Sequence, residues 1–128
     1  MKLVNAVPVA GFITRPDENV STVSTKDNFL RSTSLKLAPS QLESVIDVFK
    51  NELPTALANP DILSFIVLKS LEEPDTIITW ERYSSQDAFA GQGGQTITKT
   101  LETLSPRVIE ESTTLYRRGG GYLINTTP

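Results

Sequence analysis

A chain of 128 residues is long enough for one hydrophobic core and too short for two independent ones. With 38% apolar residues, 21% charged residues and a net charge of -3, it reads as an ordinary globular chain, with no basic run to neutralise a nucleic-acid backbone. It has no Cys and no His, which excludes disulfides, thiolate ligands, a Cys nucleophile, zinc sites built from N/S ligands, Ser–His–Asp triads and His-ligated haem.

Residues 1–27 read as an N-terminal arm. Its apolar stretch from Leu3 to Ile13 is interrupted by Asn5, Pro8 and Gly11, so an ordered arm or edge strand is expected there rather than a signal peptide. Nothing in the chain approaches the ~20 apolar residues of a membrane span. Pro16, Asp17 and Asn19 and the Ser/Thr run to Asp27 form a turn-rich connector. The cysteine-free composition fits a cytoplasmic setting.

Residues 28–118 carry the domain. Phe29 to Ala38 reads as a strand, with Leu35 and Leu37 alternating with polar neighbours. Ser40-Gln41-Leu42-Glu43 has capping-box spacing, and Leu42, Val45, Ile46, Phe49 and Leu53 form one helical stripe that Pro54 ends or kinks. Ile62 to Lys69 and Thr76 to Tyr83 read as two strands of a hairpin around Glu72-Glu73-Pro74-Asp75. A second helix opens at Ser84-Ser85-Gln86-Asp87, breaks or bends at Gly91-Gln92-Gly93-Gly94, and resumes from Thr96 to Leu104 through Ile97 and Leu101. Val108 to Arg118 is a last strand. Gly119-Gly120-Gly121 is a hinge to a tail, residues 119–128.

The order β-α-β-β-α-β predicts an α+β, ferredoxin-like domain with both helices on one side of an antiparallel sheet. The other face would then be bare, and pairing with a second copy covers it, so a homodimer is expected.

The stretch from Phe65 through Ser70-Leu71-Glu72-Glu73-Pro74-Asp75, continued by Thr79-Trp80-Glu81-Arg82-Tyr83-Ser84-Ser85-Gln86-Asp87-Ala88-Phe89, is similar to the strands and charged turn of the antibiotic biosynthesis monooxygenase family. The likeness covers about Asn28 to Arg118 and implies a dimeric α+β barrel. It further implies a substrate cavity between sheet and helices, bordered by residues of the first and third strands. Tyr83 falls where many members place Trp, Thr79 where some oxygenases have Asn, and Thr33 near the Asn of the haem-degrading branch. The second helix of such proteins often carries a His. Here that region reads Phe89-Ala90-Gly91-Gln92-Gly93-Gly94, which departs from the haem-degrading pattern.

Glu81, Tyr83, Thr79 and Ile77 share one strand face. On the functional reading Glu81 is a base and Tyr83 holds a phenol or enolate oxygen. On the alternative, Glu81 is a structural residue bonded to backbone or to an Arg, and Tyr83 packs a helix. Thr33, Phe65, Thr79, Phe89 and Tyr116 are the candidate substrate contacts, Tyr116 either facing the cavity or simply packing. Trp80 and Arg82 point the other way, toward the expected twin. Lys99 and Arg107 are candidates for meeting an anionic substrate, or for solvated helix surface. The Gly91-to-Gly94 segment matches no phosphate-binding signature and reads as a lid hinge or a plain helix break.

The resemblance, with the lack of Cys and His, implies a cofactor-independent enzyme with no metal, acting on a hydrophobic aromatic or polyketide-type small molecule of secondary metabolism. Monooxygenation is the first expectation. A cyclase, isomerase or lyase on the same substrates is the alternative. A non-catalytic binding or stress-response protein of the same fold is the third.

Overall fold

The computed structural model describes residues 6–12, 29–119 and 122–126, with side chains as far as Tyr116. Residues 13–28, which include the expected connector to Asp27, and Gly120-Gly121 of the hinge lie outside the described residues. The elements in chain order are β1 (Ala6–Phe12), β2 (Phe29–Leu37), α1 (Leu42–Ala58), β3 (Ile62–Ser70) and β4 (Thr76–Tyr83). Next come α2 (Gln86–Ala90), α3 (Gln92–Leu104), a 3₁₀ turn (Ser105–Arg107), β5 (Val108–Gly119) and β6 (Tyr122–Thr126).

All six strands form one antiparallel sheet in the order β1-β3-β4-β2-β5-β6. Its inner four strands, with α1 and the α2–α3 pair as connections, are the ferredoxin-like β-α-β-β-α-β unit. β1 adds to one edge by pairing with β3, and β6 adds to the other by pairing with β5.

Period-two alternation divides the sheet into two faces. Phe29, Leu35 and Leu37 of β2, Phe65 and Val67 of β3 and Ile77 of β4 are buried together with the helix residues Val45, Ile46, Phe49, Ile97, Leu101 and Leu104. Phe49 meets Phe65 edge-on with ring centroids 5.9 Å apart. Leu42 and Leu53 are only partly buried against this core. The intervening residues Leu30, Ile66, Leu68, Ile78, Trp80 and Tyr116 form a half-buried opposite face, on which Trp80 and Tyr116 stack at 5.8 Å and 19°.

Three local expectations are corrected. Ser40 does not cap α1: its φ is +69°, Gln41 is the N-cap without a side-chain bond, and Ser44 Oγ donates to the Gln41 carbonyl at 2.9 Å. Pro54 does not end α1, which runs on to Ala58. Proline inside a helix costs about 3 kcal/mol. The fully buried Ala56 two residues later extends the apolar contact of the helix past it. The helix break is confined to Gly91, and Gly93 and Gly94 lie buried inside α3 rather than outside it. An added Cβ on Gly94 would stand 1.7 Å from the Phe89 carbonyl oxygen, and one on Gly93 would meet the Tyr83 ring at 3.5 Å. The missing side chains let α3 fold back against α2 and rest on β4, which offsets the helix penalty of about 1 kcal/mol per glycine.

Candidate functional site

Register brings the candidate residues together. β2 and β4 pair so that Phe29 lies opposite Tyr83, Arg31 opposite Glu81 and Thr33 opposite Thr79, while Phe65 of β3 flanks Glu81 on its other side. All of these side chains face the helices and are buried, with Thr33, Thr79 and Tyr83 at 0% exposure and Glu81 at 1%. Phe89 of α2 closes over them: its ring lies 4.7 Å from that of Phe29 and 5.4 Å from that of Tyr83. Ser85 fixes α2 there by accepting from the Ala88 N–H at 3.0 Å.

Glu81 is the centre of a buried polar chain. Arg31 Nε donates to both of its carboxylate oxygens at 3.0 Å and Arg31 Nη2 to Oε1 at 2.5 Å. The Tyr83 hydroxyl donates to the same Oε1. Beyond the arginine, Nη1 donates to Thr98 Oγ1 of α3 at 2.7 Å, and the guanidinium lies 5.1 Å over the Phe89 ring. Burial alone would weaken the arginine's hold on its charge, but attraction and hydrogen bonding to Glu81 outweigh it, so the Arg31 pKa is raised. Tyr83 is pushed far above the ordinary tyrosine range, first by burial and then by the negative charge of Glu81, so it stays a hydrogen-bond donor.

Beside this satisfied chain sit two unsatisfied groups. Thr33 Oγ1 and Thr79 Oγ1 are buried with no hydrogen-bond partner among the described residues. An orphaned buried hydroxyl costs about 1–3 kcal/mol, so the two side by side weigh against the stability of the fold.

Six of the seven candidates therefore share the helix-covered face: Glu81, Tyr83, Thr33, Thr79, Phe65 and, from above, Phe89. Tyr116 does not. It pairs with Leu30, and alternation sends its side chain to the opposite face, onto Trp80. Arg82 is on that face too, donating to Ser64 Oγ at 3.0 Å. Lys99 is exposed on α3, in a polar groove of about 450 Å³ with Glu52 and Gln95. Arg107 is half-buried in the 3₁₀ turn before β5.

The sequence reading missed Arg31 and Thr98. A signal for Arg31 was present: extending the Leu37, Leu35 alternation backwards puts Thr33, Arg31 and Phe29 on the core face. Among the described residues no group of three or more Asp or Glu is placed to hold a metal ion, and no helix is long and apolar enough to cross a membrane.

No family model matches the chain. A search of curated proteins finds no match either. Solved structures do resemble it. A "putative monooxygenase" from Lactobacillus acidophilus NCFM superposes with a TM-score of 0.69 at 14% identity, over 98% of this chain and 58% of the other. A "putative antibiotic biosynthesis monooxygenase" from Nitrosomonas europaea gives 0.62 at 17% identity, over 77% and 95%. An "anthrone oxidase-like protein" gives 0.58 at 16% identity, over 78% and 46%. The chain thus spans only 58% of the length of the first of these neighbours, and about half that of the third. At these identities the likeness is one of architecture: the chain carries the α+β ferredoxin-like fold of proteins named as antibiotic biosynthesis monooxygenases.

Proposed function

We propose that this chain is a cofactor-independent, monooxygenase-type enzyme acting on a hydrophobic aromatic or polyketide-type small molecule of secondary metabolism, bound between the sheet and the helices. The observation that carries the reading is the orphaned pair Thr33 and Thr79 beside a buried carboxylate. Two free hydroxyls in an otherwise apolar enclosure are hydrogen-bonding sites for a ligand oxygen. The neighbouring Glu81 is positioned to take a proton.

The chemistry balances with oxygen as the only co-reactant. Removing a proton from an activated CH₂ leaves a carbanion. The carbanion passes electrons to O₂ and forms a C–O bond, giving a peroxide. Loss of water from that peroxide leaves a ketone, so CH₂ and O₂ become C=O and H₂O. In this reading Glu81 accepts the first proton, Tyr83 remains protonated as a donor, and Thr33, Phe65, Thr79 and Phe89 orient the ring system. The opposite face, with Trp80 and Tyr116 stacked on it, belongs to a homodimer.

The test is oxygen uptake by metal-stripped protein with an anthrone, above the rate of uncatalysed oxidation, with one ketone formed per O₂ and the rate lost in Glu81→Gln. No uptake across a panel of anthrones and phenols would refute it. Turnover that continues without oxygen would assign a cyclase, isomerase or lyase instead. One observation favours a second reading, a non-catalytic small-molecule-binding protein: the Glu81 carboxylate is already held by Arg31 and Tyr83. Ligand binding without any turnover would select it.

A further inference from the structure

Thr33 has two threonine neighbours. It stands opposite Thr79 on β4 and opposite Thr113 on β5, so three hydroxyl-bearing side chains lie in a row across three adjacent strands, all on the helix-covered face. Directly opposed residues of an antiparallel sheet hold their Cβ atoms about 4.5–5.5 Å apart. One ligand oxygen therefore lies within reach of two of these hydroxyls at once.

The row runs from the interior to the surface. Thr79 and Thr33 are at 0% exposure, whereas Thr113 and its neighbour Leu115 on the same face are half-buried and Glu111 is exposed. The helices cover the sheet unevenly: α1 packs chiefly on β1 and β3, and α2 on β4. Among the described residues the inner face is most open at β5, where Thr113 and Leu115 are half-buried and Glu111 is exposed.

The three hydroxyls of the row carry no charge, and the charges described beside Thr33 and Thr79 are paired. Arg31, a cation described on this face, is neutralised by three hydrogen bonds to Glu81 and holds Thr98 and the face of Phe89 besides. Among the described side chains no uncompensated positive charge stands beside Thr33 and Thr79 to receive an anion, and stripping an anion of water without a partner is far costlier than doing so for a ketone. A pure hydrocarbon would leave both hydroxyls as unpaired as before.

We infer that ligands enter over β5 along the row Thr113, Thr33 and Thr79, and that this row selects a ligand whose polar group is an uncharged oxygen, a ketone or a hydroxyl. This rests on the reading of the sheet–helix space as a ligand site. It adds Thr113 as the outermost specificity-determining residue and does not require the bound molecule to be oxidised.

The experiment uses the full chain and three flat probes of matched shape: fluorene, fluorenone and a fluorenone carboxylate. Affinity is measured by calorimetry and association by stopped flow. Fluorenone is expected to bind about tenfold or more tightly than either of the others. Thr33→Val and Thr79→Val should each weaken fluorenone by about three- to tenfold and leave fluorene unchanged. Thr113→Trp, at a half-buried position where bulk is tolerated, should slow fluorenone association. Carboxylate binding as tight as that of the ketone, or fluorenone affinity unchanged in both valine variants, overturns the selectivity. Unchanged association in Thr113→Trp overturns the route. Fluorenone binding with these preferences but without oxygen uptake from any anthrone leaves the inference standing and removes the oxygenase reading. No binding of any probe removes both.

Discussion

Arg31 and Glu81 stand opposite each other on neighbouring strands, fifty residues apart in sequence, and share three hydrogen bonds beneath the helices at 5% and 1% exposure. A pair this deep is a constraint more than a source of stability, because desolvation of the two charges consumes much of their attraction.

Breaking the pair from one side leaves a buried charge unmatched. Arg31→Met or Glu81→Gln alone should therefore destabilise the fold by about 3–5 kcal/mol. Replacing both, as Arg31→Met with Glu81→Leu, should restore the parent's stability or exceed it. Urea denaturation of the two single variants and the double variant checks this. Single variants within about 1 kcal/mol of the parent would show the pair to be solvated, as surface pairs are.

The orphaned threonines predict the opposite sign. Thr33→Val and Thr79→Val keep the shape and remove an unpaired hydroxyl, so each should raise stability by about 1 kcal/mol. Denaturant midpoints in the absence of ligand provide the measurement. A loss of stability in both variants would mean that the hydroxyls are satisfied in the free protein.

Tyr83 sets a high-pH limit. Its pKa is higher in the folded chain than the ordinary 10.0, so the folded state holds the proton more tightly than the unfolded one. That contribution is complete below the ordinary value and is lost as pH climbs through it toward the folded value. Stability should therefore begin to fall about one unit below pH 10.0 and go on falling as pH rises further, and Tyr83→Phe should flatten the fall. In ultraviolet titration one tyrosine should ionise only when the protein unfolds. A normal ionisation curve for all three tyrosines would contradict the burial of this hydroxyl.

The Trp80–Tyr116 face predicts association. A half-buried sheet surface that joins Leu30, Ile66, Leu68 and Ile78 to a stacked aromatic pair, with Ser32, Ser34 and Arg82 among them, is suited to a twin copy. Sedimentation should show a dimer for the parent chain and a monomer for Trp80→Glu. A parent that sediments as a monomer at high micromolar concentration would leave that face without its expected cover.

The architecture was legible where periodicity is long. Leu35 and Leu37, the Val45-Ile46-Phe49 stripe and the Thr79-Glu81-Tyr83 alternation placed strands and helices on the correct sides. What failed was local and three-dimensional. Ser40 has the composition of a cap, but its backbone turns to positive φ and Gln41 takes the N-cap position instead. Gly93 and Gly94 have the composition of a break, yet they sit within a helix because a neighbouring turn needs the space. Within the candidate site, Glu81 could be singled out from its strand, but Arg31 is joined to it only by the crossover that inserts β2 between β4 and β5. An arginine in a strand ordinarily marks a solvated edge. Thr98 carried no signal at all, since a polar helix residue reads as surface until the helix is docked.

The strand order also has a mechanical consequence. β1 and β6 occupy opposite margins of the sheet, five interstrand steps apart, or about 24 Å. Antiparallel ladder bonds run perpendicular to the strands, so tension applied between these two margins would peel them away bond by bond rather than shear whole ladders at once. Under such a pull the outer strands should yield at low force, while the four strands that carry the buried chain hold together until a second, larger event.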